Sequence, residues 1–210
     1  MSKYIKLNAI PILMEIIFII SCFIISKEYF IYTNFLFYSL LLIYFYIKKD
    51  FSMEDWLNNI KSGKKFWKQV IITVIFFIFV FGITIFLENT FSNLNTGMIG
   101  LKIDSWFKVV IFAISTIIFP AITEETFYRK NMISFKSKTI VTITTILSMF
   151  LYALEHSLTI SGILLIMIWA LPLSISYIKT KNIYVPMTAH FIVNLLGNGI
   201  EVVMAIITLL

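Results

Sequence analysis

Residues 70–87 read VIITVIFFIFVFGITIFL, eighteen positions without a charge, between Lys64, Lys65 and Lys68 on one side and Glu88 on the other. A helix needs about 20 mainly apolar residues to cross a bilayer. A run this long and this uniform is a spanning helix, because a helix on the surface of a water-soluble domain keeps a polar face. Six further segments of the same kind follow once this one is recognised. They are Ala9–Ser26, Phe30–Ile47, a stretch starting at Trp106, Thr139–His156, Ile160–Ile178, and one from Pro186 toward Leu210. Pro186 suits a first helical turn. Gly197-Asn198-Gly199 marks a place where the last segment kinks or splits. The fourth segment is expected to run past Arg129 to about Phe135. The reading is an all-α, polytopic integral membrane helix bundle of about seven transmembrane helices, with six to eight allowed by the pattern. It forms a single membrane domain over residues 1–210, with neither an internal repeat nor a linker.

Composition supports this from the other direction. Of 210 residues, 60% are hydrophobic and 13% charged. A soluble domain has about 45–50% apolar and roughly 25% charged residues. A soluble enzyme and a disordered tail are excluded. The net charge of +6 does not indicate a nucleic-acid partner, because the basic residues stand in short clusters between apolar runs. The partner is the lipid bilayer. With the N-terminus in the cytoplasm, Lys3, Lys6, Lys48, Lys49, Lys61, Lys64, Lys65, Lys68, Lys130, Lys136, Lys138, Lys179 and Lys181 all fall inside. That asymmetry gives a multi-pass protein of the cell membrane with an outward C-terminus. Trp56 and Trp67, in the polar stretch Lys48–Lys68, suit the membrane interface. Cys22 is alone, so no intrachain disulfide forms. Ile19-Ile20-Ser21-Cys22 loosely resembles a lipoprotein cleavage box, but the apolar run continues past the Cys, as in an uncleaved first helix.

Ionisable residues inside apolar segments are costly and are functional candidates by default. Here they are Glu15, Glu124, Glu125, Arg129, Glu155, His156, His190 and Glu201. Glu15 and Glu201 are isolated and read as helix-facing or interfacial. In Glu124-Glu125-Thr126-Phe127-Tyr128-Arg129, Glu125 precedes the chain's one arginine by four residues, so the two share a helix face and pair. An arginine among sixteen lysines suggests a planar fork held bidentate on a carboxylate. That pairing leaves Glu124, about 100° around the helix, for other work. Both histidines lie in apolar segments: His156 with Tyr152 four residues before it, and His190 with Asn194 four residues after. At 1.5 Å per residue, Glu124, His156 and His190 lie roughly 17, 27 and 14 Å from the cytoplasmic turns, depths that helix tilt can bring together.

These residues resemble the CAAX-protease and bacteriocin-processing (CPBP, or Abi) family of intramembrane endopeptidases. The resemblance rests on Glu124-Glu125-x-x-x-Arg129, on Tyr152 four residues before His156 with Ser148 at a small-residue position, and on His190-x-x-x-Asn194 after Pro186. It places a catalytic core at residues 106–198. Tyr152 replaces the usual Phe, and Glu155 is an additional carboxylate beside His156.

The resemblance implies an endopeptidase hydrolysing membrane-associated peptides or lipidated proteins, by CAAX-type or by bacteriocin and leader-peptide processing. The Lys-, Ile- and Asn-rich composition favours peptide maturation or bacteriocin-related processing. In this reading Glu124 is the general base on water, and His156 positions that water or shuttles protons. His190 and Asn194 donate to the oxyanion, and Glu125, Arg129 and Tyr152 support the site. No cofactor is required. The alternatives are a zinc-dependent protease ligated by Glu124, His156 and His190, and a non-catalytic bacteriocin immunity protein. A transporter would spread its polar residues over more helices.

Overall fold

A computed structural model describes residues 3–91 and 93–210, with side chains from Asn8 onward; the Lys3 and Lys6 side chains counted above lie outside the described residues. Among the described residues nine α-helices form: α1 (Lys3–Ile24), α2 (Phe30–Ile47), α3 (Met53–Lys61), α4 (Lys64–Thr90), α5 (Trp106–Ala113), α6 (Phe119–Glu124), α7 (Lys138–His156), α8 (Ile160–Thr180) and α9 (Tyr184–Leu209). Two π-helical segments, Ile114–Ile118 and Glu125–Asn131, join α5 and α6 into one apolar span from Trp106 to Asn131. Among the described residues six helices are long and apolar enough to cross a membrane, and a shorter apolar helix covers Asn8–Ile24. No strand occurs among the described residues. The architecture is an all-α polytopic membrane bundle. Lipid supplies no hydrogen bonds, so each backbone must satisfy itself, and helices do so. The apolar residues turned outward on α4, among them Ile72, Ile75, Phe79 and Phe86, are the surface that lipid covers.

The chain divides into two compact units. The first comprises Met1–Phe51, Gly100–Thr123 and Phe191–Leu210. Here α2 packs on α1, on α5 and on Ile114–Ile118. Its core centres on Ile31, Ile111 and Phe112, with Phe35 and Val202 against them. Polar side chains inside are paired: Asn34 Nδ2 donates to Ser115 Oγ at 3.2 Å, and Asn198 Nδ2 to the Thr116 carbonyl at 2.9 Å. A π turn widens the helix and turns carbonyls away from their α partners, and Asn198 meets one of them.

The second unit comprises Ser52–Ile99 and Glu124–His190. Here α8 is central, packing against α4, α7 and Glu125–Asn131. Buried hydrogen bonds cross its helices. Trp169 Nε1 donates to Thr84 Oγ1, Thr73 Oγ1 to Ser176 Oγ, and Trp56 Nε1 to Thr188 Oγ1, each at 2.8 Å.

Several expectations are corrected. The span beginning at Trp106 ends at Asn131 rather than near Phe135, and it contains two π segments. The stretch Lys48–Lys68 holds a helix, α3, started by Ser52, whose side chain accepts from the Asp55 N–H. Of its two tryptophans Trp56 is buried against Thr188, and Trp67 is the one turned outward. Gly197-Asn198-Gly199 does not interrupt α9. A glycine in a helix costs about 1 kcal/mol, and the anchored Asn198 side chain holds this stretch in place. Glu15 is buried, while Glu201 is exposed.

Candidate active site

The acidic pair sits where helix type changes. Glu124 closes α6, and Glu125 opens the π segment Glu125–Asn131. Both are fully buried, as is Arg129. Arg129 Nη1 reaches Glu125 Oε1 at 3.1 Å. The expected bidentate fork does not form: Nη2 points instead to the Ala170 carbonyl of α8, at 3.4 Å. The guanidinium also stands 4.8 Å over the Tyr152 ring, in cation–π range.

The same Glu125 Oε1 lies 2.8 Å from His190 Nδ1. This contact was not legible in the sequence, because it joins α9 to the π segment across 65 residues. That oxygen is ion-paired with Arg129 and acts as the acceptor, so His190 Nδ1 carries the proton. His156 Nδ1 lies 2.8 Å from the Tyr152 carbonyl. A carbonyl only accepts, so this Nδ1 is also protonated. Tyr152 further orients His156 by ring contact, with centroids 4.4 Å apart.

With both Nδ1 atoms engaged, each histidine turns Nε2 toward Glu124. The separations are 4.0 Å from His156 Nε2 to Oε1 and 3.9 Å from His190 Nε2 to Oε2. These exceed a direct hydrogen bond and fit a bridging water. The His156 side chain is 20% exposed while that of Glu124 is 1% exposed. The cluster holds three buried carboxylates, Glu124, Glu125 and Glu155, against one permanent cation, Arg129. Buried polar groups in so confined a site act on each other strongly.

Glu124, Glu125, Arg129, Tyr152, His156 and His190 are thus brought together within the second unit. Asn194 lies on α9 one turn beyond His190, half-buried, in the stretch assigned to the first unit. Tyr128, to which sequence reasoning gave no role, takes part, and so does Ser148, read there only as a small residue. The Tyr128 hydroxyl donates to Glu155 Oε2 at 2.6 Å, and Ser148 Oγ donates to the Tyr128 carbonyl. A carboxylate and two imidazole nitrogens are a zinc-type donor set. As arranged, however, no three His, Cys, Asp or Glu side chains among the described residues form a group able to hold a metal ion.

A buried carboxylate flanked by two oriented imidazoles has the groups that water activation needs. The comparison with known families agrees. Residues 105–196 match the family described as Type II CAAX prenyl endopeptidase Rce1-like, and every motif above lies inside that match. The matched stretch of this integral membrane protein is therefore similar to a family described as CAAX prenyl endopeptidases. No curated protein and no solved structure matches the chain.

Proposed function

We propose that this protein is an intramembrane endopeptidase that cleaves membrane-associated peptides with a water activated by Glu124. The observation that carries the reading is the symmetry about Glu124: each carboxylate oxygen faces a histidine Nε2 at about 4 Å, the spacing a water bridges.

The chemistry follows from the proton positions. A water between Glu124 and His156 gives its proton to the Glu124 carboxylate while its oxygen attacks the scissile carbonyl carbon. His156 Nε2, a lone pair in the neutral ring, accepts the water's other hydrogen and fixes its direction. The tetrahedral oxyanion then needs donors. His190 Nε2 donates only when the ring carries both protons, and the Glu125 carboxylate on Nδ1 is the counter-charge for that state. The resemblance assigns a second donor role to Asn194. Collapse breaks the C–N bond, and the proton held by Glu124 passes to the departing amine. Glu125 therefore does more than pair with Arg129: it orients His190, much as a carboxylate orients the histidine of a hydrolase triad.

The substrate class we favour is a membrane-anchored leader-type peptide, with a prenylated CAAX peptide as the comparison. The test is cleavage of both by the purified protein in proteoliposomes, read by mass spectrometry of the products. Cutting of either at one defined bond supports the reading. If neither is cut while the protein binds a bacteriocin peptide and protects cells from it, the activity is immunity and the proposal fails.

A further inference from the structure

Glu155 is the carboxylate that the motifs leave unexplained. It is buried on α7 beside His156. Its Oε2 accepts the Tyr128 hydroxyl at 2.6 Å, the length of an O–H···O⁻ bond. Tyr128 is itself buried, inside the π segment between Glu125 and Arg129. α7 holds this one residue at three points. Ser148 donates to its carbonyl, the Tyr152 ring meets its ring edge-on at 5.7 Å and 87°, and Glu155 takes its hydroxyl. Ser148, Tyr152 and Glu155 are spaced by four and then three residues, which is one face of a helix. The same Tyr152 stacks on His156. A π turn is rare and is retained where surrounding contacts hold it, and this one follows directly on Glu124.

We infer that Tyr128 and Glu155 are a positioning pair whose hydrogen bond clamps the π segment Glu125–Asn131 onto α7 and so sets the separation of Glu124 from His156. Neither touches the reacting atoms; both act through the two residues that do. The activity arm of the test rests on the peptidase reading, and a second arm does not.

The variants are Tyr128→Phe, Glu155→Leu and Glu155→Gln, each in lipid nanodiscs. Hydrogen exchange by mass spectrometry is followed over residues 125–131, and kcat and KM over a cleaved peptide. Loss of one charge-assisted hydrogen bond gives changes on the order of tenfold to a hundredfold. Tyr128→Phe and Glu155→Leu are expected to speed exchange in 125–131 by that factor. They should lower kcat similarly, with KM within about twofold. Glu155→Gln keeps an acceptor for the hydroxyl and restores both to within about threefold of wild type. A general loss of fold would speed exchange in every helix and is distinguished on that basis. The inference is overturned if Tyr128→Phe exchanges and turns over like wild type. It is equally overturned if Glu155→Gln is as impaired as Glu155→Leu, since the carboxylate would then act by charge alone. If the wild type cleaves nothing, the peptidase reading falls and exchange alone decides the pair: unchanged exchange in Tyr128→Phe refutes it, and faster exchange confined to 125–131 sustains it.

Discussion

Arg129→Ala probes the most heavily committed side chain in the second unit. The guanidinium is fully buried, 3.1 Å from Glu125 Oε1 and 4.8 Å over the Tyr152 ring. Its 3.4 Å approach to the Ala170 carbonyl is at the limit of a hydrogen bond and adds little. Removing one partner of a buried ion pair costs about 3–5 kcal/mol, because the remaining charge stays buried. Glu125 keeps His190 Nδ1 at 2.8 Å, which points to the lower end, about 3 kcal/mol. For a chain of this size each kcal/mol moves the melting temperature roughly 2–4 °C, so a fall of roughly 6–12 °C is expected. Arg129→Lys keeps the charge but loses the planar group over Tyr152, and should fall about half as far. The assay is thermal unfolding in detergent, followed by loss of the monodisperse species on size exclusion. An Arg129→Ala protein melting within about 2 °C of wild type would refute the reasoning and place Arg129 in a wet environment.

Three further outcomes are expected. A Cβ at Gly162 would stand 2.0 Å from the Thr96 carbonyl and 2.2 Å from Ser157 Oγ, so Gly162→Ala must displace backbone. It should cost about 1–3 kcal/mol in melting experiments and lower turnover, because the neighbouring Ile99 N–H bonds the His156 carbonyl. The hydrogen bond from Lys108 holds the Asp104 carboxyl below its ordinary 3.8, so the stability it adds is complete above that value and is lost as pH falls through the lowered one. The melting-temperature gap between wild type and Asp104→Asn should close as pH falls below the ordinary carboxyl value of 3.8, and a gap independent of pH would contradict this. On the reading that the lysine asymmetry puts the N-terminus inside and seven helices span, a cytoplasm-active reporter fused after Leu210 should be silent; a strong signal would mean an even number of spans.

The helices were legible in the sequence because lipid makes length and hydropathy decisive, as at residues 70–87. Helix α3 was not, since its burial depends on Trp56 finding Thr188 more than a hundred residues away. The π segments were not legible either. A one-residue shift in hydrogen bonding leaves no periodic signature over seven residues, and it is stabilised by partners such as Ser148 and Asn198. In the site, the order and spacing of Glu124, Glu125, Arg129, His156 and His190 were visible as motifs, and the structure gathers them. The direction of each ring was not, because it depends on which acceptor reaches Nδ1: a carbonyl four residues back for His156 and a carboxylate on another helix for His190. The partner of Glu155 was hidden inside the first motif, at a position where any residue type is accepted.

The central claim is that Glu124 activates the water. Its most direct test is the cleavage rate of wild type and Glu124→Gln on one membrane peptide in proteoliposomes, each with and without a chelator. The glutamine keeps the shape and hydrogen-bonding capacity of the side chain but cannot take the proton. General-base catalysis contributes roughly 10²–10⁴-fold, so the variant should remain folded and lose activity by about that factor. Wild-type activity should survive the chelator. Full activity in Glu124→Gln would contradict the account, as would wild-type activity abolished by chelator and restored by Zn²⁺.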